Sequence, residues 1–68
     1  MIVKKQAIET REVEASNYSS ALVQMDALIR RLENENTGFY ILCTSIKPQP
    51  KESTYKLIVR YGCEVSEG

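Results

Sequence analysis

The chain has no histidine and no tryptophan, only three glycines and two prolines, and nine positive side chains against nine negative ones. Without histidine, neither a Cys-His zinc site nor a nucleophile, histidine and acid set can form within one chain. Three scattered glycines provide no glycine-rich phosphate loop. A net charge of zero removes the global basic field that drives non-specific binding to nucleic acid. These absences predict a protein that is not an enzyme, binds no metal and has no nucleic acid polymer as its partner.

Length and hydrophobicity set further limits. The 68 residues suffice for one domain, 1–68, whose small core is expected to need support from partner subunits. No segment approaches the run of about 18 apolar residues that a membrane span requires. The N-terminal residues 1–5 lack the apolar centre of a signal peptide. We therefore expect a cytoplasmic protein with no membrane partner, in which Cys43 and Cys63 are reduced core residues.

The strongest pattern in the sequence is an apolar stripe at the helical period. Polar and charged residues occupy the other side of the same segment. Ser16 or Asn17 can cap the first turn, and residues 34–38 tolerate the left-handed conformation that often ends a helix. The spacing predicts one amphipathic helix over residues 17–34. Its apolar stripe consists of Tyr18, Ala21, Leu22, Met25, Leu28, Ile29 and Leu32.

Three further segments are typical of strands. Residues 2–13 carry many charges and no glycine or proline, which suits an edge strand, and their apolar residues fall on both parities, which predicts a bulge or a two-sided environment. Residues 39–46 form an apolar run, and residues 54–65 alternate between apolar and polar. A short connection rich in proline, residues 47–51, predicts that these two pair as an antiparallel hairpin. The sequence thus predicts an α+β fold, a single β-α-β-β unit with one helix on a three-stranded antiparallel sheet.

The two faces of the predicted hairpin differ. A hairpin symmetric about residues 49–51 places three apolar pairs toward the helix: Phe39 with Tyr61, Ile41 with Val59, and Cys43 with Leu57. The second face then carries Tyr40 opposite Arg60, Leu42 opposite Ile58, Thr44 opposite Lys56, and Ile46 near Thr54. One helix covers one side of a sheet, so each large apolar side chain on the second face forgoes roughly 1.5 to 3 kcal/mol of burial free energy. We expect a homo-oligomer in which another subunit covers this face.

Four residues of the second face form a candidate ligand site: Tyr40, Thr44, Lys56 and Arg60. An aromatic ring, a hydroxyl and two cations suit a flat heteroaromatic ligand that bears phosphates. Lys47 can contribute a further cation. A polar subunit interface with a stacked Tyr-Arg pair explains the same residues equally well.

The layout resembles the dodecins, small β-α-β-β flavin-binding proteins that assemble into hollow dodecamers. The segments that carry the resemblance are Ser16-Asn17-Tyr18-Ser19-Ser20 at the helix start and Tyr55-Lys56-Leu57-Ile58-Val59-Arg60-Tyr61-Gly62 in the last strand. The resemblance implies a similar fold and assembly. It also implies that Tyr40 stands where dodecins carry the tryptophan that stacks on the flavin, and Lys56 where they carry a glutamine that contacts it.

Two other groups of proteins share this size and layout: small bacterial sporulation proteins, and phage proteins that act as oligomeric sponges for the signalling nucleotides of host defence. A lysine and an arginine in the site suit a phosphate-rich nucleotide better than a bare isoalloxazine. The predicted function is therefore non-enzymatic sequestration of a nucleotide-type ligand, a cyclic nucleotide or a flavin, at subunit interfaces. The alternative is a protein-interaction or inhibitory module of phage or sporulation origin.

Overall fold

The structure is a computed structural model that describes residues 3–67. It contains strand β1 (Val3–Ala15), helix α1 (Tyr18–Glu35), strand β2 (Tyr40–Gln49) and strand β3 (Thr54–Glu67). The three strands form one antiparallel sheet in the order β1-β3-β2, and α1 packs against β3 and β1. The predicted α+β layout of a single β-α-β-β unit is confirmed. Ile2, the first residue of the predicted first strand, lies outside the described residues.

The helix begins and ends where local side-chain chemistry predicts. Asn17 is the N-cap, and its Oδ1 accepts a hydrogen bond from the backbone N–H of Ser20 at 2.8 Å. At the other end, the side-chain amide of Asn36 donates to the carbonyl of Leu32 at 2.9 Å. Gly38 then adopts a φ of 66°, the left-handed conformation expected in this segment. No helix in the described part of the chain is long and apolar enough to cross a membrane.

Strand β1 is a regular edge strand. It pairs with β3 over all 13 of its residues without a register shift. The sequence predicted either a bulge or a two-sided environment for this strand. The described residues of β1 contain no bulge, and the two-sided environment is confirmed. Ala7 and Val13 pack on the core, whereas Ile8 lies on the opposite face and is exposed.

Strand β2 departs from the predicted hairpin in three ways. Its first residues pair two positions further along β3 than predicted, so Tyr40 lies opposite Gly62 and not Arg60, and Ile41 lies opposite Tyr61 and not Val59. The strand also continues through Pro48 to Gln49, because an edge strand tolerates a proline whose missing N–H would face away from the ladder. Its register with β3 also shifts between Ile41 and Cys43, so Leu42 is the extra residue of a β-bulge. Directly opposite residues share a face of an antiparallel sheet. Relative to the symmetric hairpin, the bulge therefore moves every later residue of β2 to the opposite face of the sheet.

Three predicted positions are wrong for this reason. Thr44 lies opposite Val59 and Ile46 opposite Leu57, and both β3 partners are buried under the helix. Cys43 lies opposite Arg60 on the other face and is exposed, so it is not a core residue.

The core lies between α1 and the central strand. The large buried side chains of β3 alternate along the strand, as predicted, and are Leu57, Val59, Tyr61 and Cys63, while Gly62 between the last two is buried as well. Leu28 and Leu32 of α1 pack over Val59, Tyr61 and Cys63. The 18-residue helix is about 27 Å long at 1.5 Å per residue, whereas the molecule measures 50 × 19 × 15 Å. The helix consequently covers only part of the length of the sheet.

Candidate functional site

The sheet face opposite α1, here called the open face, is largely polar. Register assigns to it the even-numbered residues of the central strand, among them Lys56, Ile58, Arg60, Gly62 and Glu64. The large apolar side chains that register places here, within the described residues, are Ile8, Tyr40 and Ile58. Because the bulge moves Ile46 to the helix side, this face is less apolar than the symmetric hairpin predicts. The burial free energy available to a subunit that covers it is correspondingly smaller, and oligomerisation stays a prediction.

The register separates the five predicted ligand-binding residues. Tyr40 lies opposite Gly62, in the row next to Arg60, and such diagonal neighbours are about 7 to 8 Å apart. Lys47 and Lys56 face each other four residues along β3 from Arg60, at a distance of about 14 Å. Thr44 lies on the helix side. The structure therefore brings Tyr40 and Arg60 together and sets the other three apart.

The Tyr40 ring lies on the backbone of Gly62. A Cβ atom at position 62 would overlap the Cζ and hydroxyl oxygen of Tyr40. Since the φ of Gly62 is not in the left-handed region, the glycine is needed here for space and not for an unusual conformation. Tyr40 is 42% exposed. One part of its ring is thus held against the sheet while another part is accessible to a planar ligand.

Arg60 supplies an exposed cation beside this ring. Its neighbours in the same row are Cys43 and Thr10, both uncharged. Within the described residues Arg60 makes no ion pair, and the acid in the next row, Glu12, pairs with Lys56. A guanidinium without a carboxylate partner presents a planar set of donors that matches a phosphate or carboxylate group.

The lysine end of the face is electrically balanced. Lys56 Nζ lies 3.8 Å from Glu12 Oε1, with 36% and 51% of the two side chains exposed, and Glu14 lies directly opposite Lys56. Two lysines, Lys47 and Lys56, are thus matched by two glutamates. An ion pair this exposed is worth at most about 1 kcal/mol. A phosphate gains little net attraction here, so this end is the weaker part of the predicted site.

The buried side chain of Tyr61 places a hydroxyl group on the helix side of the sheet. Its hydroxyl donates to Glu9 Oε2 at 3.0 Å, and its ring lies 5.4 Å from that of Phe39. Burial raises the pKa of Tyr61 above 10.0, and the hydrogen bond to Glu9 and the charge of that carboxylate raise it further. The phenol stays protonated at neutral pH and acts as a structural donor.

Sequence reasoning missed Gly62 and Cys43 as parts of the site. A glycine inside an otherwise alternating strand is a signal for close approach of another group, so Gly62 was detectable. Cys43 reaches the open face only because of the bulge. Tyr40 and Arg60 are both exposed, and neither lines the cavities at residues 49–52, beside residues 19–24, or between α1 and Val13.

Comparison of the chain with protein-family models, curated proteins and solved structures finds no match. The resemblance to dodecins stays a prediction, and function is inferred from the geometry of the open face.

Proposed function

We propose that this protein is a non-enzymatic binding protein that holds a nucleotide-type ligand on the open face, with Tyr40 stacking on the base and Arg60 pairing with phosphate. The observation that supports this most strongly is the position of an unpaired, exposed guanidinium in the row next to an exposed aromatic ring. Aromatic stacking contributes about 0.5 to 1.5 kcal/mol. A hydrogen bond to a charged group contributes about 1.5 to 3 kcal/mol.

A second copy of the chain is part of this proposal. Small-molecule sites are usually concave and enclose most of the ligand. A ligand lying on Tyr40 and Arg60 of one sheet would keep its outer side in water, because no described residue covers that side. A homo-oligomer supplies the missing wall. The free thiols of Cys43 and Cys63 suit a reducing compartment, so we expect the protein to act in the cytoplasm.

Calorimetric titration with a cyclic dinucleotide, ADP-ribose and flavin mononucleotide tests the proposal. Arg60→Gln is expected to weaken binding of the best ligand by about 10- to 100-fold, because the charged hydrogen bonds are lost. Tyr40→Ala is expected to weaken it by about 2- to 10-fold. Lys56→Gln is the matched control, since it removes a cation of the same face that already has a partner, and is expected to change affinity less than about twofold. Unchanged affinity in both site variants, or an equal loss in the control, contradicts the proposed site.

A protein-interaction module is the second candidate, supported by the exposed edge of β2, since edge strands can accept an added strand. It predicts that purified protein captures one specific partner protein and that none of the three small ligands binds.

A further inference from the structure

The two edges of the sheet are chemically unlike. On β1, six of the 13 residues are charged: Lys4, Lys5, Glu9, Arg11, Glu12 and Glu14. Charges of this density are a common protection of an edge against pairing with another strand. On β2, by contrast, residues 40–46 contain no charged residue, and residues 40–44 are all exposed. The β2 edge is therefore the one that is open to another strand.

The helix leaves the β2 side of its own sheet face uncovered. Gln24, Ala27 and Arg31 lie on the flank of α1 beside β1, where they line a cavity with Val13. At 100° per residue, Tyr18, Leu22 and Ile29 fall on the opposite flank, toward β2. Tyr18 and Leu22 are exposed, as is Ile41 on the helix side of β2. An apolar surface thus borders the unprotected edge.

The surface area of the chain is large for its mass. A folded monomer of 7.7 kDa is expected to expose roughly 4300 Å², whereas this chain exposes 4930 Å². The difference, about 600 Å², approaches the roughly 800 Å² that each partner contributes to a standard interface. The radius of gyration, 14.3 Å, likewise exceeds the roughly 11 Å expected for this length. The isolated chain is more extended than a self-sufficient domain of its size.

From these observations we infer that two copies of the chain pair through the outer edges of their β2 strands, antiparallel across a twofold axis, to form one six-stranded sheet. A second copy suits this edge because antiparallel self-pairing of an uncharged segment sets no like charges opposite each other. The twofold axis keeps both helices on one side of the sheet and both open faces on the other. This pairing extends the sheet sideways and leaves both open faces uncovered, so it is a separate contact from the one that encloses the ligand in the proposed function and goes beyond that function.

Sedimentation velocity at about 50 µM tests the pairing with two matched substitutions. Ile41→Lys puts a charge beside the β2 edge, and Ile8→Lys puts the same charge on β1 at similar exposure, 45% against 56% in the native chain. We expect a dimer for the native protein and for Ile8→Lys, and a shift to monomer for Ile41→Lys, with far-ultraviolet circular dichroism unchanged. A native monomer, or dissociation caused by Ile8→Lys and not by Ile41→Lys, overturns the inference.

Cross-linking of the native chain gives a second test that does not depend on a variant folding. Cys43 is exposed near the middle of β2, whereas Cys63 is buried. A short bis-maleimide should join two chains through Cys43 in high yield, and Cys43→Ser should lose the product. Absence of a covalent dimer in the native chain overturns the pairing. A dimer that forms but binds none of the three ligands refutes the proposed function alone, while leaving the β2 pairing intact.

Discussion

The packing of the Tyr40 ring on Gly62 gives a stability prediction whose sign depends on the neighbour. A methyl group at position 62 would overlap the ring. Forcing atoms into an occupied site costs typically about 1 to 3 kcal/mol. Replacing glycine by alanine without such a clash instead stabilises a protein by about 0.4 to 1 kcal/mol, through the unfolded chain. We therefore expect Gly62→Ala to destabilise the native protein and to stabilise the Tyr40→Ala variant.

The double-mutant cycle measures this coupling. Urea unfolding of the native chain, the two single variants and the double variant, at one protein concentration, should yield a coupling of about 1.5 to 4 kcal/mol. In thermal unfolding, each 1 kcal/mol corresponds to roughly 4 to 8 °C for a domain of this size. Tyr40→Phe is the matched control because it keeps the ring in place, so Gly62→Ala should remain destabilising in that background.

Additive effects, within about 0.5 kcal/mol, would refute the placement of the ring on Gly62. The placement would also be refuted if Gly62→Ala no longer destabilised the Tyr40→Phe variant. That variant keeps the ring and lacks only the hydroxyl group, so the overlap would then not involve the ring.

Three further predictions concern the core, the helix cap and the buried phenol. Leu32→Ala removes a side chain with 0% exposure and should lower the free energy of unfolding by about 2 to 5 kcal/mol. Leu22→Ala removes a side chain of the same helix that is 51% exposed and should lower it by less than about 1.5 kcal/mol. Equal losses in urea unfolding would contradict the assigned core. Asn17→Ala should cost about 1 kcal/mol and Asn17→Ser should restore most of it, because the serine hydroxyl can also accept the Ser20 N–H. Because the pKa of Tyr61 is raised in the folded protein, the unfolded chain loses the phenolic proton at a lower pH than the folded chain does. The contribution of Tyr61 to stability should therefore be constant below pH 10.0 and fall as pH rises through the folded pKa. Urea unfolding from pH 8 to 11 should show a shallower alkaline loss for Tyr61→Phe, and identical slopes would contradict the raised pKa.

The parts of the fold that local chemistry determines were predictable. The helix α1, its cap, predicted at Ser16 or Asn17, and the alternation of β3 all depend on neighbours within a few residues, and each is confirmed. Two members of the apolar stripe, Tyr18 and Leu22, are exposed. The edge position of β1 follows from its charges in the same way.

The bulge at Leu42 was not predictable from the sequence. Residues 39–43 are apolar on both parities, so nothing in the alternation fixes which residue pairs with which on β3. The register is set by packing of the whole sheet against α1. One extra residue then exchanges the faces of Cys43 and Thr44, and this single event removes Thr44 from the predicted site.

Tyr40 and Arg60 were correctly predicted to lie on the same face of the sheet. Tyr40 lies before Leu42, and Arg60 lies on the strictly alternating β3, so both keep their predicted facing. The sequence could not show that Glu12 and Glu14 of β1 would lie beside Lys56, because that pairing depends on the register of two strands far apart in the chain.

The most direct test of the ligand site is a titration of ¹⁵N-labelled protein followed by amide chemical shifts, with a cyclic dinucleotide and flavin mononucleotide as the probes. Binding on the open face should shift the amides of residues 8–10, 40–43 and 60–62 and leave those of the outer surface of α1 unchanged. Shifts confined to α1 or to the turn at residues 50–53, or no shifts at millimolar ligand, would contradict a nucleotide site built on Tyr40 and Arg60.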